Sequence, residues 1–438
     1  MLMRSGYINI IFDSLGIPLR INMQSLAGIV AVHGLYYAPY PFIFLYSALS
    51  LIHPDLEEAA AVHGGDVHRI LGHVTFPLVK PALLGSLLLI IVLMTEEFPV
   101  PQILGAPVGI ETLSIRIYKL VSRVPSLPNQ ASAASIVLTL MVCILVYAQH
   151  MILKGRDYRT VTGKGAQVRP IALGRLRWLA VAFVAIYAFV AIVLPLFALV
   201  QSALRNNLYV PNAAALFDVS QFSLRHLGEA LHSSAVQQGL VNSLIAGFLA
   251  AVFGSAFFFV LAYVVNRTDL PGRRLLEYLV MLPVAIPALV MGLGILWTWL
   301  AIPLPVYGTL AILVIAFVTR FMPQGYRAVS SSVGQIHDDL EHAALVAGAT
   351  RLKAMRLIIL PLVRGGVAAS FFLMLVLGMR ELTASLFLYT TDTRLLSIVI
   401  YEGYENGAWS SVASISLIYT AVLVVLTLIG RRWMRAQL

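Results

Sequence analysis

Ile52-His53-Pro54-Asp55-Leu56-Glu57-Glu58-Ala59-Ala60 returns later in the chain as Ile336-His337-Asp338-Asp339-Leu340-Glu341-His342-Ala343-Ala344, residue n of the first copy standing at n + 284 in the second. The same offset relates Gly64 to Gly348, Pro77 to Pro361 and Glu97 to Glu381, and upstream it relates Ser25-Leu26-Ala27 to Thr309-Leu310-Ala311. After a slip of one residue, Ser114-Ile115 meets Ser397-Ile398 and Tyr118 meets Tyr401. An ordered series over about ninety positions is an internal duplication rather than chance.

The duplicated unit lies in a chain that cannot cover a water-facing surface. Of 438 residues, 59% are hydrophobic and 11% charged, with mean hydropathy +0.87, against about 25% charged in a soluble domain. Apolar runs of the length needed to cross the hydrocarbon core recur throughout, too long for barrel strands, so the spans are helices. The reading is an all-α membrane protein, a polytopic transmembrane helix bundle of about nine spans over 26–50, 82–104, 131–153, 178–203, 240–265, 275–300, 308–326, 366–389 and 411–430. The formal charge of +10 is spread between these spans, as the positive-inside rule expects, so no nucleic-acid partner is expected. The lone Cys143 permits no intrachain disulfide and no cysteine metal cluster, and reads as packing. Residues 1–24 lack a basic start followed by an apolar core, so no cleavable signal peptide is expected.

Loop charges set direction. The 154–177 segment carries Lys154, Arg156, Arg159, Lys164, Arg169, Arg175 and Arg177, and is expected inside. Arg267, Arg273 and Arg274 also fall inside, as does a C-terminal tail with Arg431, Arg432 and Arg435. Alternation then puts 51–81 and 327–365 inside, and 105–130, 204–239, 301–307 and 390–410 outside. The 105–130 loop disagrees mildly, holding Arg116, Lys119 and Arg123. The second copy has three spans before the matching region and the first has none, Met1 corresponding to position 285. The expected organisation is 1–153 as the last three spans of a first unit, 154–177 as a basic linker and 178–438 as a six-span second unit. A truncated reading frame or fragment is the favoured explanation of the asymmetry.

The repeated loops make physical sense residue by residue. Asp55 with Glu58, and Asp338 with Glu341, have capping-box spacing. Ala59-Ala60 and Ala343-Ala344 keep a short helix thin enough for close approach. Gly64 and Gly348 allow a turn that bulkier residues resist, and Pro77 and Pro361 are expected to stop the following helix before the next span. Leu56, Ala60, His63, Val67, Ile70 and Val74 recur at helical spacing, a mainly apolar stripe on a loop that points to a partner surface.

The pattern Glu58-Ala59-Ala60, Gly64, then Val74 and Phe76-Pro77, with Ala343-Ala344, Gly348, Ile358 and Leu360-Pro361 in the second copy, resembles the Glu-Ala-Ala loop of binding-protein-dependent ABC importers. His342 departs from it where a Glu stands in the family, with Glu341 beside it, and Gly365 stands where the first copy has Pro81. The resemblance implies that Glu57, Glu58, Ala59, Ala60, Gly64, Pro77, Glu341, Ala343, Ala344, Gly348 and Pro361 belong to coupling loops that dock two ATPase subunits on the cytoplasmic side. It also implies a solute-binding protein on the outer side, membrane lipid around the chain, and residence in a bacterial inner membrane with the C-terminus cytoplasmic. No Gly-x-x-x-x-Gly-Lys-Ser/Thr loop occurs, Thr162-Gly163-Lys164-Gly165 lacking both the upstream Gly and the following hydroxyl. ATP hydrolysis is therefore expected in separate subunits, and neither cofactor nor catalytic residue is assigned here. Two copies in one chain look like the fused permeases of ferric-iron importers and their relatives for thiamine, polyamines and phosphonates. His33-Gly34-Leu35-Tyr36-Tyr37 and Asp55 to Ala60 look most like the ferric branch.

Glu96 and Glu97 fall within one expected span, with Arg380 and Glu381 at matching positions in another. Intramembrane charges cost about 2.5–3.5 kcal/mol and face the bundle interior. They read either as a polar pathway or gate, or as an interhelix pair that locks the halves, with Arg320 able to pair in the same way. Pro99, Pro101, Pro195, Pro283 and Pro287 within spans suit a transport pathway and ordinary membrane helices equally. Asp392, Glu402, Glu405, Arg205 and Arg225 in outer loops read as solvated charges. An ion-driven secondary transporter explains the spans and intramembrane charges but not the paired loops. A non-transporting decayed permease is the third reading.

Overall fold

The computed structural model describes residues 6–153 and 174–435 and divides after Phe197 into two compact units. The basic linker expected over 154–177 lies outside the described residues except for its last four, and Thr162–Gly165 lies outside with it. Among the described residues, five helices are long and apolar enough to cross a membrane unbroken. Counting each of three bent pairs as one span gives up to eight.

In the first unit, Leu26–Tyr37 and Pro39–Ser50 meet at a 42° bend. After a short helix, Pro54–Val62, a long apolar helix runs from His68 to Glu96. It packs between Pro39–Ser50 and Pro128–Leu153, and Leu113–Ser122 lies against the latter. Val92, Phe98, Ile115, Ile117, Leu138 and Val142 are buried here, Phe98 meeting Tyr118 edge-on at 5.1 Å. Cys143 faces outward beside Ile144 and Tyr147, not into this core, because the buried stripe of its helix runs through Leu138 and Val142.

The second unit is built on three mutually packed helices, Ser234–Arg267, Leu310–Gly334 and Arg364–Arg380. Small residues allow the approach, as in membrane bundles generally. A methyl group on Gly325 would strike the Phe258 ring at 2.5 Å, and one on Gly366 would strike Ser332 Oγ. The expected span 275–300 is in fact two pieces, Arg273–Ala285 and Ala288–Ala301, bent by 112°. Pro287 disfavours helical backbone at Ile286, which is extended, and the Arg320 guanidinium donates to the freed Ile286 carbonyl at 3.4 Å.

The duplication holds at the level of local geometry. Ser25 and Thr309 both cap helix starts, accepting from Gly28 N and Ala311 N. Leu113–Ser122 and Leu396–Glu405 are both ten residues long, 283 apart. The one-residue slip therefore falls between Glu97 and Leu113 and their counterparts.

The prolines do not end the helices as expected. A wide π turn, Leu71–Thr75 in the first copy and Met355–Ile359 in the second, ends two residues before Pro77 and Pro361 respectively. The helix continues through both prolines. A third π turn, Phe189–Val193, ends two residues before Pro195. A proline ring clashes with the carbonyl four residues back, and widening the turn moves that carbonyl aside. The copies then diverge. His68–Glu96 runs on unbroken, whereas Arg351–Leu362 meets Arg364–Arg380 at 73°, the break falling at Val363 beside Gly365-Gly366.

Candidate functional site

Each repeated loop folds as a nine-residue helix followed by a turn and the start of the next span, Pro54–Val62 in the first copy and Asp338–Val346 in the second. Nine residues are too few to stay helical alone, so capping and anchoring decide their stability. The expected capping boxes are absent. Pro54 takes the first helical position in one copy and His337 is the cap in the other, which puts Asp55, Asp338 and Asp339 inside the first turn, where a negative charge favours the positive helix end.

The C-terminal caps are the same in both copies. Gly64 sits at φ +79° and Gly348 at φ +86°. Gly65 N donates to Ala60 O at 3.0 Å and Ala349 N to Ala344 O at 2.9 Å, while Gly64 N and Gly348 N donate to Ala61 O and Leu345 O at 3.0 Å. This pair of bonds is the Schellman closure, and its left-handed residue is what the two glycines supply. The next helix starts on a side-chain cap in both copies, Asp66 accepting from Arg69 N at 2.9 Å and Thr350 from Lys353 N at 3.3 Å.

Two neighbouring acidic positions have different fates. Glu57 and Glu341 turn inward. Thr75 Oγ1 donates to Glu57 at 2.7 Å, and Tyr263 Oη donates to Glu341 at 2.5 Å. Glu341 and Tyr263 are 5% and 6% exposed. Glu58 and His342 face outward, so the departure from Glu to His at the second position falls on an exposed site. The second loop has a further anchor. Arg267, at the end of Ser234–Arg267, pairs with Asp338 and donates to the carbonyls of Val333, at 2.7 Å, and Ile336. Thr75, Tyr263 and Arg267 carry no motif, and their partners lie 18 to 78 residues away.

The apolar stripe divides differently from expectation. Ala60, Ile70 and Val74 are half-buried, and His63 bonds back to Ala59 O. The outward apolar positions recur between copies at nearly equal exposure, Leu56 with Leu340 at 46% and 48%, and Val62 with Val346 at 86% and 90%. Burying such a side chain against a partner contributes about 1.5–3 kcal/mol.

At the other end of the following span, both helices stop at equivalent places, Glu96 and Arg380, so the expected spans 82–104 and 366–389 break there. Glu97 and Glu381 have extended backbone. Pro99 opens the next short helix after the first break, but the second break has no proline, and there Glu381 Oε1 accepts from Ala384 N at 2.8 Å, turning the chain. Glu97 accepts from Tyr37 Oη at 2.9 Å, Glu96 is buried, and Arg380 is exposed. In the 105–130 loop Glu111 pairs with both Lys119, at 2.6 Å, and Arg116, at 3.6 Å. The hydrogen bond from Lys119 holds its carboxyl below the ordinary range, with the charge of Arg116 adding. Arg205 is not solvated as expected. It is buried and donates to the carbonyls of Asn207, Ala215 and Leu216.

The family profile described as "binding-protein-dependent transport system inner membrane component" matches residues 15–156 and 259–437, both loops included. Similar curated proteins include the ferric transport system permease protein FbpB of Actinobacillus pleuropneumoniae, 28% identical over 97% of this chain and 60% of its own length. A putative ferric transport system permease protein of Haemophilus influenzae is 28% identical over 91% and 62%. A putative 2-aminoethylphosphonate transport system permease protein of Salmonella typhimurium is 29% identical over 47% and 78%. The chain thus spans about three fifths of the length of the two ferric relatives. With the profile covering most of its length and both loops, the chain belongs to the family of inner-membrane components of binding-protein-dependent transport systems.

Proposed function

We propose that the chain is the transmembrane permease of an ATP-binding-cassette importer for ferric iron, working with two ATPase subunits on the cytoplasmic side and an outer solute-binding protein. The observation that carries this reading is the pair of loop helices with the same cap, the same π turn and the same outward Leu and Val. Two equivalent apolar projections suit two copies of one partner. Closure of the ATPase pair pushes the loop helices, and Glu57–Thr75, Glu341–Tyr263 and Asp338–Arg267 pass the stroke to the spans. The transport pathway then switches access from inside to outside, and hydrolysis resets it. Arg267 meeting Asp338 supports placing those two segments on one side of the membrane. Trp433 lines one groove with Leu360 and Pro361, which supports a C-terminus on that same side. We also propose 1–153 and 178–438 as the two permease units, and Glu96, Glu97, Arg380 and Glu381 as pathway or gate residues.

The ferric assignment follows the two relatives that match along nearly all of this chain, and the aminoethylphosphonate relative sets the alternative to be measured. The test is uptake of labelled ferric iron by a strain lacking its own ferric permease and complemented with the full-length protein and its partners. ATP-dependent ferric uptake is expected. Uptake of a phosphonate instead would replace the substrate, and uptake that survives ATP depletion would overturn the importer reading.

A further inference from the structure

A groove of about 490 Å³ opens beside the second loop, lined by Pro361, Val367, Phe371, Phe372 and Trp433 with Arg364 among them. It joins the start of Arg364–Arg380 to the end of Trp409–Arg435, where Trp433 meets Phe372 with ring centroids 5.9 Å apart. Almost all of its wall is apolar. The one formal charge is Arg364, which is exposed and has no carboxylate partner among the described residues.

Arg364 is the first residue of its helix, so the positive helix end adds to its charge. Arg431 and Arg432 immediately precede Trp433 and are exposed. An apolar channel running down a span from a cationic mouth, with an aromatic ring beside it, has the chemistry of a membrane interface. We propose that this groove binds an anionic phospholipid, its acyl chain along Val367, Phe371 and Phe372 and its phosphate paired with Arg364. The groove contains residues from both sides of the 73° bend at Val363. A chain seated there braces the bend between the second loop and its span.

The site is tested without transport, so its failure leaves the permease reading intact. Full-length protein is exchanged into an equal mixture of phosphatidylglycerol and phosphatidylethanolamine and examined by native mass spectrometry for retained lipid. Phosphatidylglycerol is expected to predominate. Arg364→Gln should lower its retention about fivefold, the effect of one interfacial basic residue, and Arg364→Lys should keep it. Val367→Trp, which fills the groove with Arg364 in place, should abolish the preference. Equal retention of the two lipids by the unaltered protein, or unchanged preference in Arg364→Gln or Val367→Trp, would overturn the proposal. If those variants do not fold, a second measurement leaves Arg364 and Val367 in place. Trp433 emission, taken as the difference between the unaltered protein and Trp433→Phe, should be quenched more by brominated phosphatidylglycerol than by brominated phosphatidylethanolamine. Equal quenching, or a photo-crosslinker at Val367 that captures protein instead of lipid, refutes the site.

Discussion

Tyr263→Phe removes one hydroxyl and nothing else from the second loop's anchor. Tyr263 Oη donates to Glu341 at 2.5 Å with both residues buried, so the variant leaves a buried carboxylate oxygen facing an aromatic edge without that donor. A hydrogen bond to a charged group contributes about 1.5–3 kcal/mol, and an abandoned buried acceptor carries the full desolvation cost. The undocked population of the helix Asp338–Val346 should therefore rise by about tenfold to a hundredfold. The rest of the fold should hold, because Arg267–Asp338 and the Gly348 closure remain. Hydrogen–deuterium exchange reads this directly. The amides of 342–349 should lose protection by about that factor while those of Ser234–Arg267 keep theirs. Unchanged exchange in 342–349 would refute the idea that the Tyr263–Glu341 bond seats the loop.

Other expectations follow from the same geometry. If the loops dock ATPase subunits as proposed, Val62→Glu with Val346→Glu should abolish that association while shifting thermal stability by no more than about 0.5 kcal/mol, since both side chains face outward, as pull-down and melting would show. Gly64→Ala and Gly348→Ala should each cost about 1–2 kcal/mol locally, because both positions have left-handed backbone, and proteolysis of the loops should accelerate accordingly. If Glu97 and Glu381 serve the pathway, Glu97→Gln with Glu381→Gln should lower transport at unchanged protein abundance, and normal uptake would exclude them. Glu111 has a lowered pKa in the folded chain, so its pairing with Lys119 stabilises at neutral pH. The gain begins to fade as pH drops below the ordinary carboxylate range and is gone beneath the lowered value. As an exposed pair it amounts to no more than about 1 kcal/mol, and Glu111→Gln should erase both the acid-side change and its salt dependence in melting curves.

The duplication was legible because local geometry follows local residues. The offset of 284 that relates Gly64 to Gly348 also relates their φ angles, their Schellman bonds and the two π turns. The prolines do not stop their helices, because Pro77 and Pro361 interrupt a regular ladder only when the preceding turn is regular, and a π turn leaves no trace in hydrophobic periodicity. The breaks at Glu97 and Glu381 are hidden from the sequence for a related reason. Apolar residues continue past both breaks, so composition alone runs the helix on. Tyr263 and Arg267 were invisible as anchors because the bonds they make depend on which helices pack together. The outward pair Leu56 and Val62 was only half visible, since the periodic stripe picks out the face that packs, not the face that is free.

The proposed docking of two ATPase subunits on the two equivalent loops is tested by purifying the full-length, C-terminally tagged protein from its native locus and determining partner stoichiometry by mass spectrometry. Two ATPase subunits per chain, both lost with Val62→Glu and Val346→Glu together, is the predicted result. A chain that purifies intact and folded with no ATPase subunit would contradict it.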